Sequence, residues 1–191
     1  VVEDDVALNQ MLVMALRKMG YDISSARSWA EARQQLELHA PDVVLLDMNL
    51  PGRSGLEVLS SLKETDSHIK VLVVSMYPED QYAVRCLRAG AQGYANKAAD
   101  PMALIDAVRT IFQGRKYLTP EVAQMLAESV SERTPEAPHT ALSERELQTM
   151  LKIASGKRLS EIAEELTLSP KTVSVYRSRV LEKLGLSNNA E

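Results

Sequence analysis

Apolar runs alternate with helix-like segments along the first 113 residues of the chain. Residues 43–47 (VVLLD) and 71–75 (VLVVS) are short and almost wholly apolar, which is typical of strands covered on both faces of a parallel sheet. Other segments carry apolar residues at three- and four-residue spacing, as from Ala7 to Met19, and this spacing predicts amphipathic helices. Repeated strand–helix units predict a doubly wound α/β domain, with Ile23 in one of its shorter strands.

The pattern changes after residue 113. Residues 114–140 are predicted to be a linker with a short helix, because residues 131–138 (SERTPEAP) are polar and contain proline. Residues 141–191 have three segments of helical spacing and predict a small all-α domain. The helix start signals in this part are a capping box of Ser143 with Glu146, and the pair Ser169–Pro170.

Composition narrows the class of protein. A chain of 191 residues with 25% charged residues suits two small globular domains. A single cysteine, Cys86, argues against a disulfide framework and favours the reducing cytoplasm. No apolar run approaches a membrane span and no signal peptide opens the chain, although the absence of an initial Met suggests trimmed ends. The net charge of −4 is no argument for nucleic-acid binding by itself.

Charged and hydroxyl side chains follow the predicted strands and should meet at one edge of the sheet. They are Glu3, Asp4 and Asp5 after the first apolar pair, Asp47, Ser75, and Lys97 just past Tyr94. Carboxylates are suitable ligands for Mg²⁺, and a carboxylate beside the ion can attack a phosphorus centre. The ion, a lysine and a hydroxyl would stabilise the developing charge, so the set predicts phosphoryl transfer. Alternatively, Asp47 is an ordinary strand-end residue; Asp5 is better explained as a helix cap than as a ligand.

Four motifs carry a resemblance to a known family. VVEDD, LLDMNLPGRSGLEVL, VLVVSMY and GAQGYANK, in this order, resemble the receiver domain of bacterial two-component response regulators over residues 1–113. The resemblance implies a flavodoxin-like fold with a five-stranded parallel sheet. It implies that Asp47 accepts a phosphoryl group from a sensor histidine kinase. It also implies that the chain, through Asp47, Ser75 and Lys97, catalyses its own Mg²⁺-dependent phosphorylation and dephosphorylation without being an enzyme on other substrates. The implied metal ligands are Glu3, Asp4, Asp47 and the backbone carbonyl of Asn49, and the implied switch residues are Ser75 and Tyr94.

A second resemblance covers residues 141–189. LSEREL and ASGKRLSEIAEELTLSPKTVSVYRSRVLEKLGL resemble the LuxR-type helix-turn-helix, which places the whole chain in the NarL/FixJ subgroup. Arg158 stands where relatives often have a capping Ser or Thr, so we expect Ser160 to cap the scaffold helix instead. The last helix should enter the major groove of promoter DNA. The residues expected to contact DNA are Lys171, Thr172, Ser174, Val175, Tyr176, Arg177, Ser178, Arg179 and Lys183.

Three functions remain open on these grounds. The first is a transcription regulator in which phosphorylation of Asp47 favours a homodimer or releases the recognition helix. The second is an Mg²⁺-dependent phosphohydrolase, although Asn49 stands where that chemistry needs an acid–base carboxylate. The third is a protein–protein adaptor whose helical part does not touch DNA.

Overall fold

The computed structural model describes residues 1–131 and 141–189. These residues belong to two compact units, Val1–Ser131 and Glu132–Glu191. Residues 132–140, the last third of the predicted linker, lie outside the described part of the chain. The prediction of an α/β domain followed by a helical domain is confirmed.

Helices and strands make up the first unit. In chain order they are α1 (Val6–Lys18), α2 (Trp29–Leu38), β1 (Val43–Asp47), α3 (Gly55–Thr65), β2 (Lys70–Ser75), α4 (Glu79–Arg88), β3 (Gly93–Asn96), α5 (Pro101–Phe112) and α6 (Pro120–Ser131). Several helices begin at a side-chain cap, such as Asp100 before α5, whose carboxylate accepts the backbone N–H of Met102 at 2.9 Å.

The three strands form a parallel sheet in the order β1-β2-β3. The register pairs Asp47 with Val74 and Ser75 with Asn96. Asp47, Ser75 and Asn96 are also the last residues of their strands. The carboxyl ends therefore lie level at one edge of the sheet, as the sequence predicts.

The expected five strands are not confirmed among the described residues. Val2 forms isolated parallel bridges to Ala26 and to Leu46. The segment around Val2 therefore pairs with β1, and with the segment around Ala26, over a single residue in each case. The Val2 N–H donates to the carbonyl of Leu45 at 2.8 Å. The prediction that Ile23 lies in a strand is wrong, because the chain pairs regularly with Val2 only at Ala26.

Helices cover both faces of the sheet. Val71, Leu72, Val73 and Val74 are all at most 2% exposed, although consecutive strand residues point to opposite faces. One face packs on α1 and α5, in a core that includes Leu16 from α1. Contacts of α3 with β1 and of α4 with β3 complete the layers. This double covering explains why β1 and β2 consist of apolar runs.

Helix α6 belongs to the first unit. It contacts α4, and the Thr119 hydroxyl just before α6 donates to the Glu79 carboxylate at 2.5 Å. Tyr117 forms a parallel bridge to Gly93 at the start of β3. The short helix predicted between the two domains is therefore packed against the α/β layer.

Trp29 and Arg53 connect α2 to the loop that follows β1. The Arg53 guanidinium carbon lies 5.8 Å from the centroid of the Trp29 ring, within the range of a cation–π contact. Arg53 also donates to the Ser61 hydroxyl at 3.2 Å. The loop between β1 and α3 is thus held by contacts on two helices.

The second unit contains three described helices. They are α7 (Glu144–Ala154), α8 (Leu159–Glu165) and α9 (Pro170–Leu184). Ile162, Ala163, Leu166 and Val173 form a small buried core between α8 and α9. The predicted helix starts at Ser143 and Ser169 are confirmed, since each hydroxyl accepts a backbone N–H from its helix.

The predicted cap at Ser160 is wrong. Helix α8 begins at Leu159, and Arg158 is the residue at the cap position. The carboxylate of Glu161 accepts the backbone N–H of Arg158 at 2.7 Å. This bond satisfies a free N–H at the helix start without any capping hydroxyl, so the helix keeps its first turn.

The described helices are short. The longest, α9, has 15 residues and spans about 22 Å at the usual helical rise. In residues 1–131 and 141–189, no helix has the length and the apolar character that a membrane span requires.

Candidate functional site

The strand ends bring a lysine and two carboxylates together. Lys97 Nζ lies 2.7 Å from Glu3 Oε2 and 3.0 Å from Asp47 Oδ1. All three side chains are at least nine-tenths buried. Backbone pairing accounts for the meeting: Asp47 N–H donates to the carbonyl of Val2, next to Glu3, and Lys97 N–H donates to the carbonyl of Ser75.

A third carboxylate completes an acidic cluster. Glu3, Asp4 and Asp47 each offer an oxygen within 4.8 Å of the other two. Asp47 Oδ2 is buried and has no hydrogen-bond partner among the described residues. A buried carboxylate oxygen without a partner is costly, and a bound cation would relieve that cost. The donor set therefore fits Mg²⁺, which prefers a few carboxylates and retains several waters.

The charges in the cluster depend on one another. Burial and the negative charge of Asp47 raise the pKa of Glu3 to about 7, although Lys97 opposes the shift. Burial and Asp47 also raise the pKa of Asp4. Burial acts to lower the pKa of Lys97, but the carboxylates of Asp47 and Glu3 outweigh it and the pKa is raised. Lys97 is therefore a firmly protonated ammonium, and additional positive charge would stabilise the carboxylates.

The two predicted switch residues are buried, and each forms a hydrogen bond with Tyr77. Ser75 is fully buried, and its hydroxyl oxygen accepts the backbone N–H of Tyr77 at 3.1 Å. Tyr94 is 1% exposed, and its hydroxyl donates to the carbonyl of Tyr77 at 2.8 Å. The side chain of Asn49 accepts the Tyr77 hydroxyl at 3.1 Å. Tyr77 is thus a hydrogen-bond partner of Ser75, Tyr94 and Asn49.

Sequence reasoning assigned Asp5 correctly and missed two other supporting residues. The Asp5 carboxylate caps α1 by accepting the Leu8 N–H at 3.0 Å. Asn9, a buried amide on α1, donates to the carbonyl of Glu3 at 2.9 Å and holds that segment in place. A polar residue on the buried face of an amphipathic helix was the signal for Asn9. Gly55, whose N–H donates to the carbonyl of Met48 at 2.9 Å, had no such signal.

Helix α9 presents an exposed polar face, as the sequence predicts. Lys171, Ser174, Val175, Ser178 and Arg179 are exposed, whereas the packing side of the helix carries the buried Val173 and Val180. The face is dominated by hydrogen-bonding groups and positive charge. Such a face can contact phosphates and base edges in a major groove.

Most of the remaining residues expected to contact DNA have partners within the second unit. Lys183 Nζ lies 2.7 Å from the Glu146 carboxylate, and Arg177 donates from Nε to Asn189 at 2.7 Å. Thr172 shares a 2.8 Å hydrogen bond with the Ser169 hydroxyl, and Tyr176 is half-buried. Their roles toward DNA stay predictions, and the Lys183 ammonium already serves to join α9 to α7.

Two family models match the chain. Residues 1–109 match the family described as "Response regulator receiver domain", and residues 140–191 match "Bacterial regulatory proteins, luxR family". The first match covers more than half of the chain. It coincides with the α/β unit that carries the acidic cluster, and the second coincides with the helical unit.

Curated relatives align along most of the chain. The response regulator UvrY of Escherichia coli K12 is 36% identical over 170 residues, which are 88% of this chain and 78% of UvrY. The response regulator GacA of Pseudomonas aeruginosa is 41% identical over 152 residues, which are 79% of this chain and 71% of GacA.

Solved structures show the same fold. A LuxR-family two-component response regulator from Aurantimonas is 30% identical with a TM-score of 0.61, over 69% of this chain and 95% of that one. RcsB from Salmonella enterica serovar Typhimurium, bound to promoter rprA in the presence of phosphomimetic BeF₃⁻, is 20% identical with a TM-score of 0.63, over 99% of this chain and 92% of that one. The likeness to RcsB concerns the fold alone.

Proposed function

Because the chain belongs to the response regulator family, in the NarL/FixJ subgroup with a LuxR-type helix-turn-helix, we propose that it is a DNA-binding transcription regulator switched by phosphorylation of Asp47. The phosphoryl donor is the phosphohistidine of a sensor histidine kinase. Promoter DNA is the second partner, which places the protein in the bacterial cytoplasm. Outside its own phosphorylation and dephosphorylation, the chain catalyses no reaction in this proposal.

One observation carries the proposal. Asp47 has one oxygen 3.0 Å from the Lys97 ammonium, and its other oxygen is buried without a partner in the described residues. A carboxylate held in this way retains lone pairs for an incoming phosphorus centre and for a cation. An aspartate that served only to cap or solvate the strand end would have its oxygens satisfied by backbone N–H groups or water.

The chemistry follows from this arrangement. An oxygen of Asp47 attacks the phosphorus of the phosphohistidine, an O–P bond forms, and the N–P bond breaks with return of the electron pair to the imidazole. Lys97, positioned by Glu3, donates to a phosphoryl oxygen, and the Ser75 hydroxyl donates to another. Glu3, Asp4, Asp47 and the backbone carbonyl of Asn49 would hold Mg²⁺, which would supply positive charge to offset the negative charge of the phosphoryl oxygens.

The response to phosphorylation is a shift between two conformations of the receiver. When Ser75 turns toward the phosphoryl group, Tyr94 repacks, and the balance moves toward the active form. That form favours a homodimer or frees the recognition helix α9 for DNA. A symmetric dimer would read two half-sites related by a two-fold axis.

The DNA contacts belong to the exposed face of α9. Lys171, Ser174, Val175 and Ser178 approach the bases in the major groove. Thr172, Tyr176, Arg177, Arg179 and Lys183 flank that face and are assigned to the phosphates. We divide the chain accordingly into a receiver domain (1–113), a linker with a short helix (114–140) and a DNA-binding domain (141–191).

Gel-shift titration of promoter fragments tests the switch. Treatment with acetyl phosphate and Mg²⁺ should raise the DNA affinity of the wild-type chain and increase its dimer fraction. Asp47→Ala should bind DNA with the lower affinity whether treated or not.

The control is the untreated wild-type protein, which should match Asp47→Ala in both DNA affinity and oligomeric state. Equal affinity of treated wild-type and treated Asp47→Ala protein would refute the phosphorylation switch. Absence of any salt-dependent DNA affinity would instead favour the adaptor function.

A further inference from the structure

We propose that Tyr77 is a positioning residue that ties three parts of the phosphorylation site together and thereby sets its affinity for Mg²⁺. This inference rests on the proposed function, since it assumes that the acidic cluster binds the ion. Tyr77 lies in the loop between β2 and α4, two residues beyond Ser75. It offers no atom to the cluster itself, so any effect must pass through its neighbours.

Three hydrogen bonds converge on Tyr77. Its hydroxyl donates to Asn49 Oδ1 at 3.1 Å, and its backbone N–H donates to Ser75 Oγ, also at 3.1 Å. Its backbone carbonyl accepts the Tyr94 hydroxyl at 2.8 Å. Asn49, Ser75 and Tyr94 are the residues assigned to the metal carbonyl, the switch hydroxyl and the switch aromatic. Tyr77 therefore forms a hydrogen bond with each of the three residues that carry these roles.

The ring of Tyr77 is anchored on α4. It stacks on Tyr82 with 4.7 Å between ring centroids and an interplanar angle of 26°. Tyr82 is fully buried in α4, so the platform is fixed by the core. A ring fixed in this way holds its hydroxyl at a defined position. The hydrogen bond from this hydroxyl to Asn49 then restrains the loop after β1.

The side chain of Asn49 influences the conformation of its own backbone. Asn49 is two residues beyond Asp47, and its backbone carbonyl is the proposed metal ligand. Restricting the side chain restricts the loop, which reduces the entropy lost when the carbonyl engages an ion. The bond from Tyr77 therefore preorganises a ligand that Tyr77 does not touch.

Tyr77→Phe isolates this effect. The substitution keeps the ring on Tyr82 and keeps both backbone bonds, to Ser75 and to Tyr94, and it removes only the hydroxyl. Titration of Mg²⁺ alone into the full chain by calorimetry should give a dissociation constant about three- to tenfold higher, the usual worth of one hydrogen bond. The same lost bond should lower the thermal midpoint without Mg²⁺ by about 2–5 °C, so the Mg²⁺ affinity of the folded chain is the deciding measurement. Phosphorylation by acetyl phosphate should need more Mg²⁺ but reach the wild-type rate at saturation.

Matched variants test whether the effect of Tyr77 on Mg²⁺ affinity passes through Asn49. Tyr21→Phe, at a ring that packs edge-on against Phe112, should leave the Mg²⁺ affinity at the wild-type value. Asn49→Ala keeps the backbone carbonyl and should weaken Mg²⁺ binding as much as Tyr77→Phe does. The double variant should be no weaker than either single one, because both remove the same bond.

The outcomes separate this inference from the proposed function. Wild-type affinity in Tyr77→Phe or in Asn49→Ala would overturn the role of Tyr77, and so would additive losses in the double variant. Failure of the wild-type chain to bind Mg²⁺ at all would instead remove the proposed metal site. If Tyr77→Phe does not fold, the affinity of Asn49→Ala decides alone.

Discussion

At the scale of single residues, position 55 has no room for a side chain. A Cβ on Gly55 would lie 2.6 Å from the carbonyl oxygen of Asp47 and 2.6 Å from the Cα of Met48. Both neighbours are backbone atoms that cannot rotate away. Gly55→Ala should therefore lower the free energy of unfolding by about 1–3 kcal/mol, measured by urea denaturation, and should weaken Mg²⁺ binding.

A glycine outside the site provides the comparison. Gly114 has a φ of +83° and open space around its Cβ position. Gly114→Ala should lower the free energy of unfolding by about 1 kcal/mol through backbone strain, with no change in Mg²⁺ affinity. Equal Mg²⁺ affinity in both variants would mean that the close contact at Gly55 does not shape the site.

Thr167 adopts a backbone conformation that β-branched residues avoid. Its φ is +54°, in the turn between α8 and α9, and its side chain is exposed. Thr167→Asn, which tolerates this region, should raise the free energy of unfolding by up to about 1 kcal/mol. Thr167→Val keeps the β-branch and should show no gain. A loss of stability in Thr167→Asn would contradict the strain assigned to this turn.

Tyr77 shows where residue-scale prediction from the sequence ends. Asp47, Ser75 and Lys97 could be predicted to meet, because residues that end adjacent parallel strands must lie at one edge. Tyr77 lies in the loop after β2, and no periodic apolar pattern marks this position in the sequence. Its partners come from three separate segments, and their meeting depends on loop conformations that the apolar pattern does not encode.

At the scale of elements, an ion pair between the buried Glu146 and the exposed Lys183 joins α7 to α9. Burial acts to raise the pKa of Glu146, but hydrogen bonds from Lys183 and Ser143 outweigh it and hold the pKa below its ordinary value of 4.5. A carboxyl whose pKa is lower in the folded state stabilises that state above its unfolded pKa. The contribution is lost as the pH falls through the folded value. The protection of α7 and α9 amides against hydrogen exchange should therefore drop below about pH 4.5.

Glu146→Gln is the matched variant for this pair. It should reduce protection at neutral pH, because the Lys183 ammonium loses its charged partner. It should also flatten the acid limb of the profile. An acid limb identical to that of the wild-type chain would show that other carboxyls govern the pH dependence.

The elements themselves were predictable in unequal measure. β1 and β2 were predicted well, because strands covered on both faces need continuous apolar side chains. The segment around Ile23 was not, because pairing there is confined to Ala26 and a single bridge leaves no pattern in the sequence. The start of α8 was misplaced because Glu161, reaching back to the Arg158 N–H, replaces the capping hydroxyl that the sequence rule expects.

At the scale of the whole molecule, the DNA affinity of the phosphorylated chain should depend on salt. Arg179 is exposed on the flank of α9 and is assigned to a phosphate. Loss of one phosphate contact reduces the slope of log affinity against log salt by about 0.9. Arg179→Ala should show that reduction in gel-shift titrations at several salt concentrations.

Lys183 offers a contrast on the same helix. Its ammonium is engaged by Glu146, so we expect Lys183→Ala to change the salt slope less than Arg179→Ala does and to lower stability more. Equal slope changes in the two variants would show that the ion pair opens when the helix meets DNA.

Trp29, in contact with Arg53, provides an intrinsic fluorescence probe. The sequence contains one tryptophan, so the whole indole emission originates in α2 of the first unit. The Arg53 guanidinium, 5.8 Å from that ring, belongs to the loop that follows Asp47. A rearrangement of this loop on ligand binding would move the guanidinium and change the electric field at the indole. Steady-state indole fluorescence of the unlabelled protein should therefore follow occupancy of the receiver, because the second unit contains no tryptophan.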